Sequence, residues 1–225
     1  DQITPESLAS LLNGIDAEKV ELNFISCIKN ASKIGEELSS YFKKQGIDLQ
    51  KVKGSIGFDP FKRILKHGRD FPKYADMAEQ VINSVSELPG YRVLMADAFM
   101  LNNAGSYITQ ELGFALAWGN EWLSVLTDKG LTVDKVANRI KFNFGISSNY
   151  FMEMAKFRAA RMLWAQIVSA YKPNCDCASK IEMHAQTSQF NMTIYDAHVN
   201  LLRSQTETMS AALAGVNSIT VNPFD

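Results

Sequence analysis

Cysteine is scarce, and its count is odd. Cys27, Cys175 and Cys177 cannot make a disulfide framework of the kind that holds small secreted domains together. Cys175 and Cys177 sit one residue apart in a polar stretch, and no second pair exists to close a zinc site around them. They read as part of an ordinary loop in a reducing, cytoplasmic setting. Charge of one sign is missing too: 23 basic side chains face 24 acidic ones, a net charge of −1. Such a balance gives no long-range pull on nucleic acid or anionic lipid, so neither is expected as a partner. No apolar run reaches the roughly 20 residues of a membrane helix. The opening Asp1-Gln2-Ile3-Thr4 has no signal-peptide character and reads as the middle of a longer chain. The phosphate-cradling patterns G-x-G-x-x-G and G-x-x-x-x-G-K-[ST] do not occur, nor does the G-x-S-x-G nucleophile elbow.

Histidine is also rare. His67 precedes Gly68 at the end of a helical stretch, where a cation complements the helix dipole. His198 follows Asp196 by two residues in what reads as a helix interior, so the pair Asp196-Ala-His198 does not form the loop D-x-H-x-x-G in which histidine ligates cobalt. Leu201 stands in place of its glycine. His184 differs from both. It lies on the polar face of a strand with Glu182 and Gln186, late enough in that strand to meet either a ligand or a neighbouring strand.

What the chain does have is alternation. With 46% hydrophobic residues it can bury a sizeable core. Short β-rich runs at residues 20–27, 54–58, 92–97, 139–145, 180–186 and 218–222 are separated by amphipathic stretches. Thr4 caps a first helix with Pro5 at its first position, ending near Asn13-Gly14. Further helices are expected at 31–45 (closed by Gly46), 61–67, 74–88, 104–127, 132–138, 149–171 and 193–213 (closed by Gly215). Gly113 and Gly119 inside the 104–127 helix each cost stability, which close packing would explain. In the 149–171 helix, Met152, Ala155, Ala159, Leu163 and Ile167 fall near one face. No linker divides the chain, so residues 1–225 read as one domain.

Strand, turn and helix in repetition imply a parallel sheet with helical crossovers. Buried parallel strands usually read as continuous apolar runs. These alternate instead: Glu21 and Asn23; Arg139, Lys141 and Asn143; Glu182, His184 and Gln186; Ser218, Thr220 and Asn222. One face of each strand must meet something polar. A closed (β/α)8 barrel of the TIM type supplies such a place in its lumen, where paired charges, water or a ligand would sit. Six strands do not complete eight, so either the sheet is open or two strands lie elsewhere. Unpaired edges at residues 20–27 and 218–222 would then invite pairing between chains.

Three stretches resemble the methylmalonyl-CoA mutase family. Asn149-Tyr-Phe-Met-Glu-Met-Ala-Lys-Phe-Arg-Ala-Ala-Arg-Met-Leu-Trp-Ala165 is similar to that family's N-F-F-M-E-(I/V)-A-K-x-R-A-A-R-(M/L)-L-W-A helix. His184-Ala-Gln-Thr-Ser188 is similar to H-x-Q-T-S, and residues 207–222 to E-A-M-A-A-x-x-G-x-x-S-L-H-T-N. Asn103-Ala-Gly105, followed by residues 110–117, adds a weaker fourth match. The resemblance runs from about residue 20 to 225. It implies a barrel threaded by a coenzyme A ester, with the first two strands and a cobalamin domain outside this chain. It also implies degenerate catalytic positions: Phe99 and Met100 where active relatives carry Tyr-His late in a strand, and Glu182 where they carry arginine. His184, Gln186 and Asn222 would remain as vestigial substrate-binding residues. The implied role is a non-catalytic small subunit, cytoplasmic, binding no cofactor or metal through this fragment. It would pair as a heterodimer with a large catalytic subunit that uses adenosylcobalamin to isomerise methylmalonyl-CoA to succinyl-CoA. An active acyl-CoA mutase of altered substrate range, or a stand-alone acyl-CoA-binding barrel, is the alternative.

Overall fold

A computed structural model describes residues 3–68 and 71–225; Asp1 and Gln2 of the opening tetrapeptide lie outside it. Two compact units meet between Met95 and Ala96. In the first, α1 (Pro5–Leu11) precedes β1 (Leu22–Phe24), α2 (Ala31–Gln45), β2 (Lys53–Phe58), α3 (Phe61–His67), α4 (Pro72–Ser84) and β3 (Gly90–Asp97), whose last two residues belong to the second unit. The second continues with α5 (Phe99–Asn103), α6 (Ile108–Asp128), α7 (Val133–Ala137), β4 (Ile140–Ile146), α8 (Tyr150–Ala170), β5 (Met183–Thr187), α9 (Ala197–Ala214) and β6 (Ser218–Thr220). β1 pairs parallel with β2 and β2 with β3; β4 pairs parallel with β5 and β5 with β6. The architecture is the βα repeat of a TIM-type barrel, with six strands in chain order.

Local chemistry sets most boundaries. The Thr4 hydroxyl accepts the Ser7 N–H at 3.2 Å and the Ser7 hydroxyl accepts the Thr4 N–H at 3.0 Å, a reciprocal cap on α1. Gly46, at φ +68°, closes α2 in the left-handed region. The long helix expected from residue 104 starts at Ile108 instead, as α6, and a short helix, α5, precedes it. Gly105, at φ +87°, separates α5 from α6, and Phe99 and Met100 lie in α5, outside the strand that the resemblance implied. The Ala104 N–H donates to the Met100 carbonyl at 3.1 Å, so this segment has turned helical directly after β3.

The expected apolar face of α8 is also corrected. Met152 is exposed, and the buried stripe is Glu153, Lys156, Phe157, Ala160, Trp164 and Val168. Phe142 and Phe144 of β4 meet Trp164 and Phe157 edge-on, with centroids 4.8 and 5.7 Å apart. α9 begins at Ala197 and not at residue 193, because Thr193 and Asn200 hold each other across the preceding turn.

The two glycines of α6 part company. A methyl group on Gly119 would lie 2.6 Å from Phe142 Cζ and 2.7 Å from Trp164 Cζ3, whereas one on Gly113 would meet nothing within 4 Å. Close packing therefore accounts for Gly119 only. Gly113→Ala should raise stability by up to about 1 kcal/mol through helix propensity. Gly119→Ala should lower it by about 1–3 kcal/mol through overpacking. Urea unfolding of the two variants checks the contrast, and a stabilised Gly119→Ala protein would contradict it.

Candidate functional site

Parallel pairing lines up polar residues on one face of each unit. In the first, Asn23 stands beside Ser55 and Ser55 beside Arg92; the Ser55 hydroxyl donates to Asn23 Oδ1 at 2.6 Å. In the second, Asn143 stands beside His184 and His184 beside Ser218, while Gln186 stands beside Thr220. This face is opposite the Phe142 and Phe144 side that packs on α8, as the period of two requires.

His184 is committed to its neighbours. Its Nδ1 lies 2.7 Å from the Ser218 hydroxyl and its Nε2 lies 3.0 Å from the Thr220 hydroxyl. A hydroxyl can donate or accept, so both ring nitrogens of a neutral imidazole are satisfied in either tautomer. Burial pushes His184 down to about 4, and the Lys141 ammonium acts in the same direction. Gln186 Nε2 donates to Asn222 Oδ1 at 2.9 Å, and Asn222 Nδ2 donates to the Thr187 carbonyl at 2.6 Å. Asn143 Nδ2 donates to Asp97 Oδ1 at 2.6 Å. The polar residues of β5 and the segment around β6 thus fasten strand to strand.

Behind this face lies a charge cluster that periodicity alone did not bring out. The Lys156 ammonium is 2.7 Å from Glu111 Oε2, 2.6 Å from the Gly145 carbonyl, and 2.5 Å from Glu153 Oε2 in an ion contact poorly angled for a hydrogen bond. All three side chains are wholly buried. The rings of Phe144 and Phe157 flank the ammonium at 5.7 and 5.2 Å. Each carboxylate also holds backbone at the end of β4: Gly145 N donates to Glu111 Oε1 at 2.6 Å, and Ser147 N to Glu153 Oε1 at 3.0 Å. Burial raises Glu111 while Lys156 opposes the shift. A third glutamate does the same for β5. Glu207 accepts Ser188 N at 3.1 Å and Asn191 Nδ2 at 2.7 Å, and burial pushes it up to about 7. Gly145 has no room for a side chain, since a Cβ there would fall 2.2 Å from Asn102.

The four charged residues of this cluster, Glu111, Glu153, Lys156 and Glu207, lie inside the stretches that carry the resemblance. A family model described as methylmalonyl-CoA mutase matches residues 3–225. The chain belongs to the methylmalonyl-CoA mutase family. Among its relatives, the methylmalonyl-CoA mutase small subunit of Porphyromonas gingivalis is 54% identical over 224 residues, covering 99% of this chain and 36% of that protein. The small subunit from Streptomyces virginiae is 35% identical over 87% of this chain and 31% of its own length. The human mitochondrial methylmalonyl-CoA mutase is 30% identical over 99% of this chain and 30% of its own length. The chain therefore spans about a third of the length of these curated relatives.

The structure brings together some of the family positions singled out in the sequence. His184, Gln186 and Asn222 share the hydrogen-bonded β5–β6 face. Glu182 stands half-buried just ahead of β5, one step from the polar row that contains His184. Phe99 and Met100 are half-buried on α5. His198 lies in the first turn of α9 and not mid-helix; it is exposed, with Phe224 as its ring neighbour. Glu111, Glu153, Lys156 and Glu207 were missed as a group. The signal was present: Glu153 leads the spacing 153-157-160-164-168, Glu111 the spacing 111-115-118-122, and Glu207 falls within 200-204-207-211. Each is a charge on its helix's own core stripe.

The His184 geometry predicts a pH dependence. Its folded pKa lies below the unfolded value, so its contribution to stability is full above about 6.5 and is lost as pH falls toward 4. The loss is of order 3 kcal/mol at most. NMR titration of the imidazole should give a midpoint near 4, and His184→Gln should flatten the stability profile between pH 4 and 6.5. A midpoint near 6.5 would contradict the buried, clamped ring.

Proposed function

We propose that this chain is the barrel portion of the small, non-catalytic subunit of an adenosylcobalamin-dependent methylmalonyl-CoA mutase. In this reading it acts in the cytoplasm as a heterodimer with a larger catalytic subunit that converts methylmalonyl-CoA to succinyl-CoA. Among the described residues no helix is long and apolar enough to cross a membrane, which is compatible with that setting.

The observation that carries the reading is Met100. A thioether has no hydrogen to donate, so it cannot polarise a thioester carbonyl as a histidine at that position would. Donors aimed at developing oxyanion charge contribute about 2.7–4 kcal/mol, or roughly 100- to 1,000-fold in rate. Phe99 has no hydroxyl, and Glu182 sets an acid where a cation would meet an anionic substrate. His184, although retained, spends both ring nitrogens on Ser218 and Thr220. In this reading, His184, Gln186 and Asn222 are vestiges of a substrate-binding face that now serve strand pairing.

Cobalamin does not fit the residues present. The only Asp-x-His pair, Asp196 and His198, opens a helix with Leu201 where the cobalt-ligating motif needs glycine. The cofactor belongs to the partner in this reading. The 54% identity to a protein named as a small subunit supports the same role.

The test is co-expression of the complete small subunit with the large subunit of the same organism. A stable complex should co-purify. The small subunit alone should show no turnover of methylmalonyl-CoA with added adenosylcobalamin, and Met100→His alone should not restore it. Turnover by the isolated subunit would support an active mutase of altered range, and tight coenzyme A ester binding without a partner would support a stand-alone binder. Either result, or failure of the two subunits to associate, would overturn the assignment.

A further inference from the structure

We propose that Cys175 and Cys177 form an exposed thiol–disulfide exchange site, a dithiol that low-molecular-weight thiols and disulfides open and close reversibly. The two sulfurs are bonded across a single intervening residue, with Cα atoms 5.2 Å apart, in the exposed loop between α8 and β5. A ring closed over one residue removes little entropy from the unfolded chain, so this bond is a poor structural staple.

The loop is held by other means. Asp134 of α7 accepts Asn174 N at 3.0 Å, Asn174 Nδ2 at 3.3 Å and Cys175 N at 2.9 Å. These donors hold its carboxyl below the ordinary carboxylate range, so the tether persists at neutral pH. On the other side, Ala178 is buried and its N–H donates to the Cys175 carbonyl at 3.1 Å. The backbone therefore presents the two thiols side by side whether or not they are joined. Exposed bonds with no structural duty are the ones that exchange.

The geometry also orders the steps. In the joined form Cys177 N donates to Cys175 Sγ at 3.2 Å, and a donor so placed would support a thiolate at Cys175 once the bond is open. That thiolate attacks one sulfur of a small disulfide such as oxidised glutathione, the disulfide breaks, and one thiolate leaves. Cys177, deprotonated by solvent, then attacks the Cys175 sulfur and expels the second thiolate. The protein loses two hydrogens and the small disulfide becomes two thiols. Excess reduced thiol runs the same steps backwards.

Intact-mass measurement on a Cys27→Ser chain, equilibrated in glutathione buffers from reducing to oxidising, tests this. A monomer lighter by two hydrogens should appear and disappear reversibly, with urea midpoints of the two forms unchanged. Cys177→Ser should stop at one glutathione adduct on Cys175. Absence of the lighter monomer would overturn the proposal. So would a large loss of stability on reduction, which would make the bond a staple.

Discussion

Lys156 brings a positive charge to a place that water does not reach. Taking an ammonium and two carboxylates out of solvent costs several kcal/mol per ion, and only short contacts to opposite charge and to backbone dipoles offset it. Glu111 from α6 and Glu153 from α8 supply that compensation, and the Gly145 carbonyl takes a further ammonium proton. The arrangement works in reverse as well. Because the carboxylates are anchored by Lys156, they can accept the backbone N–H groups of Gly145 and Ser147 at the C-terminal end of β4. Two helices and one strand end are locked by one cation. Ser188 extends the lock to β5, donating both to the Ile146 carbonyl and to Glu207 of α9.

This framework holds the ends of β4 and β5 from the side of the helices. The Lys156 ammonium lies against the Phe144 and Phe157 rings, on the helix side of β4, whereas His184, Gln186 and Asn222 occupy the other side. Phe99, Met100 and Glu182 make none of the contacts named for the Lys156 cluster. The polar groups of this face are satisfied by strand-to-strand hydrogen bonds, as half-buried polar groups generally are.

Much of this was legible in the sequence. Residues 31–45 and 61–67 form helices with the expected bounds, since Gly46 and Gly68 stop them in the left-handed region. The period-two polar sets of β4, β5 and β6 fall on one face, as their register shows. The failures share a cause. The α8 face was sought among apolar residues, but its true stripe begins with Glu153 and Lys156, charges admitted to the core because Lys156 is paired with Glu153 on its own helix and, through space, with Glu111, 45 positions earlier. The pairing with Glu111 leaves no local pattern. The α5 turn was hidden because Phe99-Met100-Leu101 reads equally well as strand or helix, and only the tertiary setting decides.

Free energies of unfolding for wild type, Lys156→Met, Glu111→Gln and the double variant test the central interaction most directly. Removing the ammonium should strand two buried carboxylates and cost about 3–5 kcal/mol. Neutralising Glu111 in the same chain should return part of that loss, giving a coupling well outside additivity. A Lys156→Met protein as stable as wild type, or strictly additive effects, would contradict the claim that this cation holds the strand ends in place.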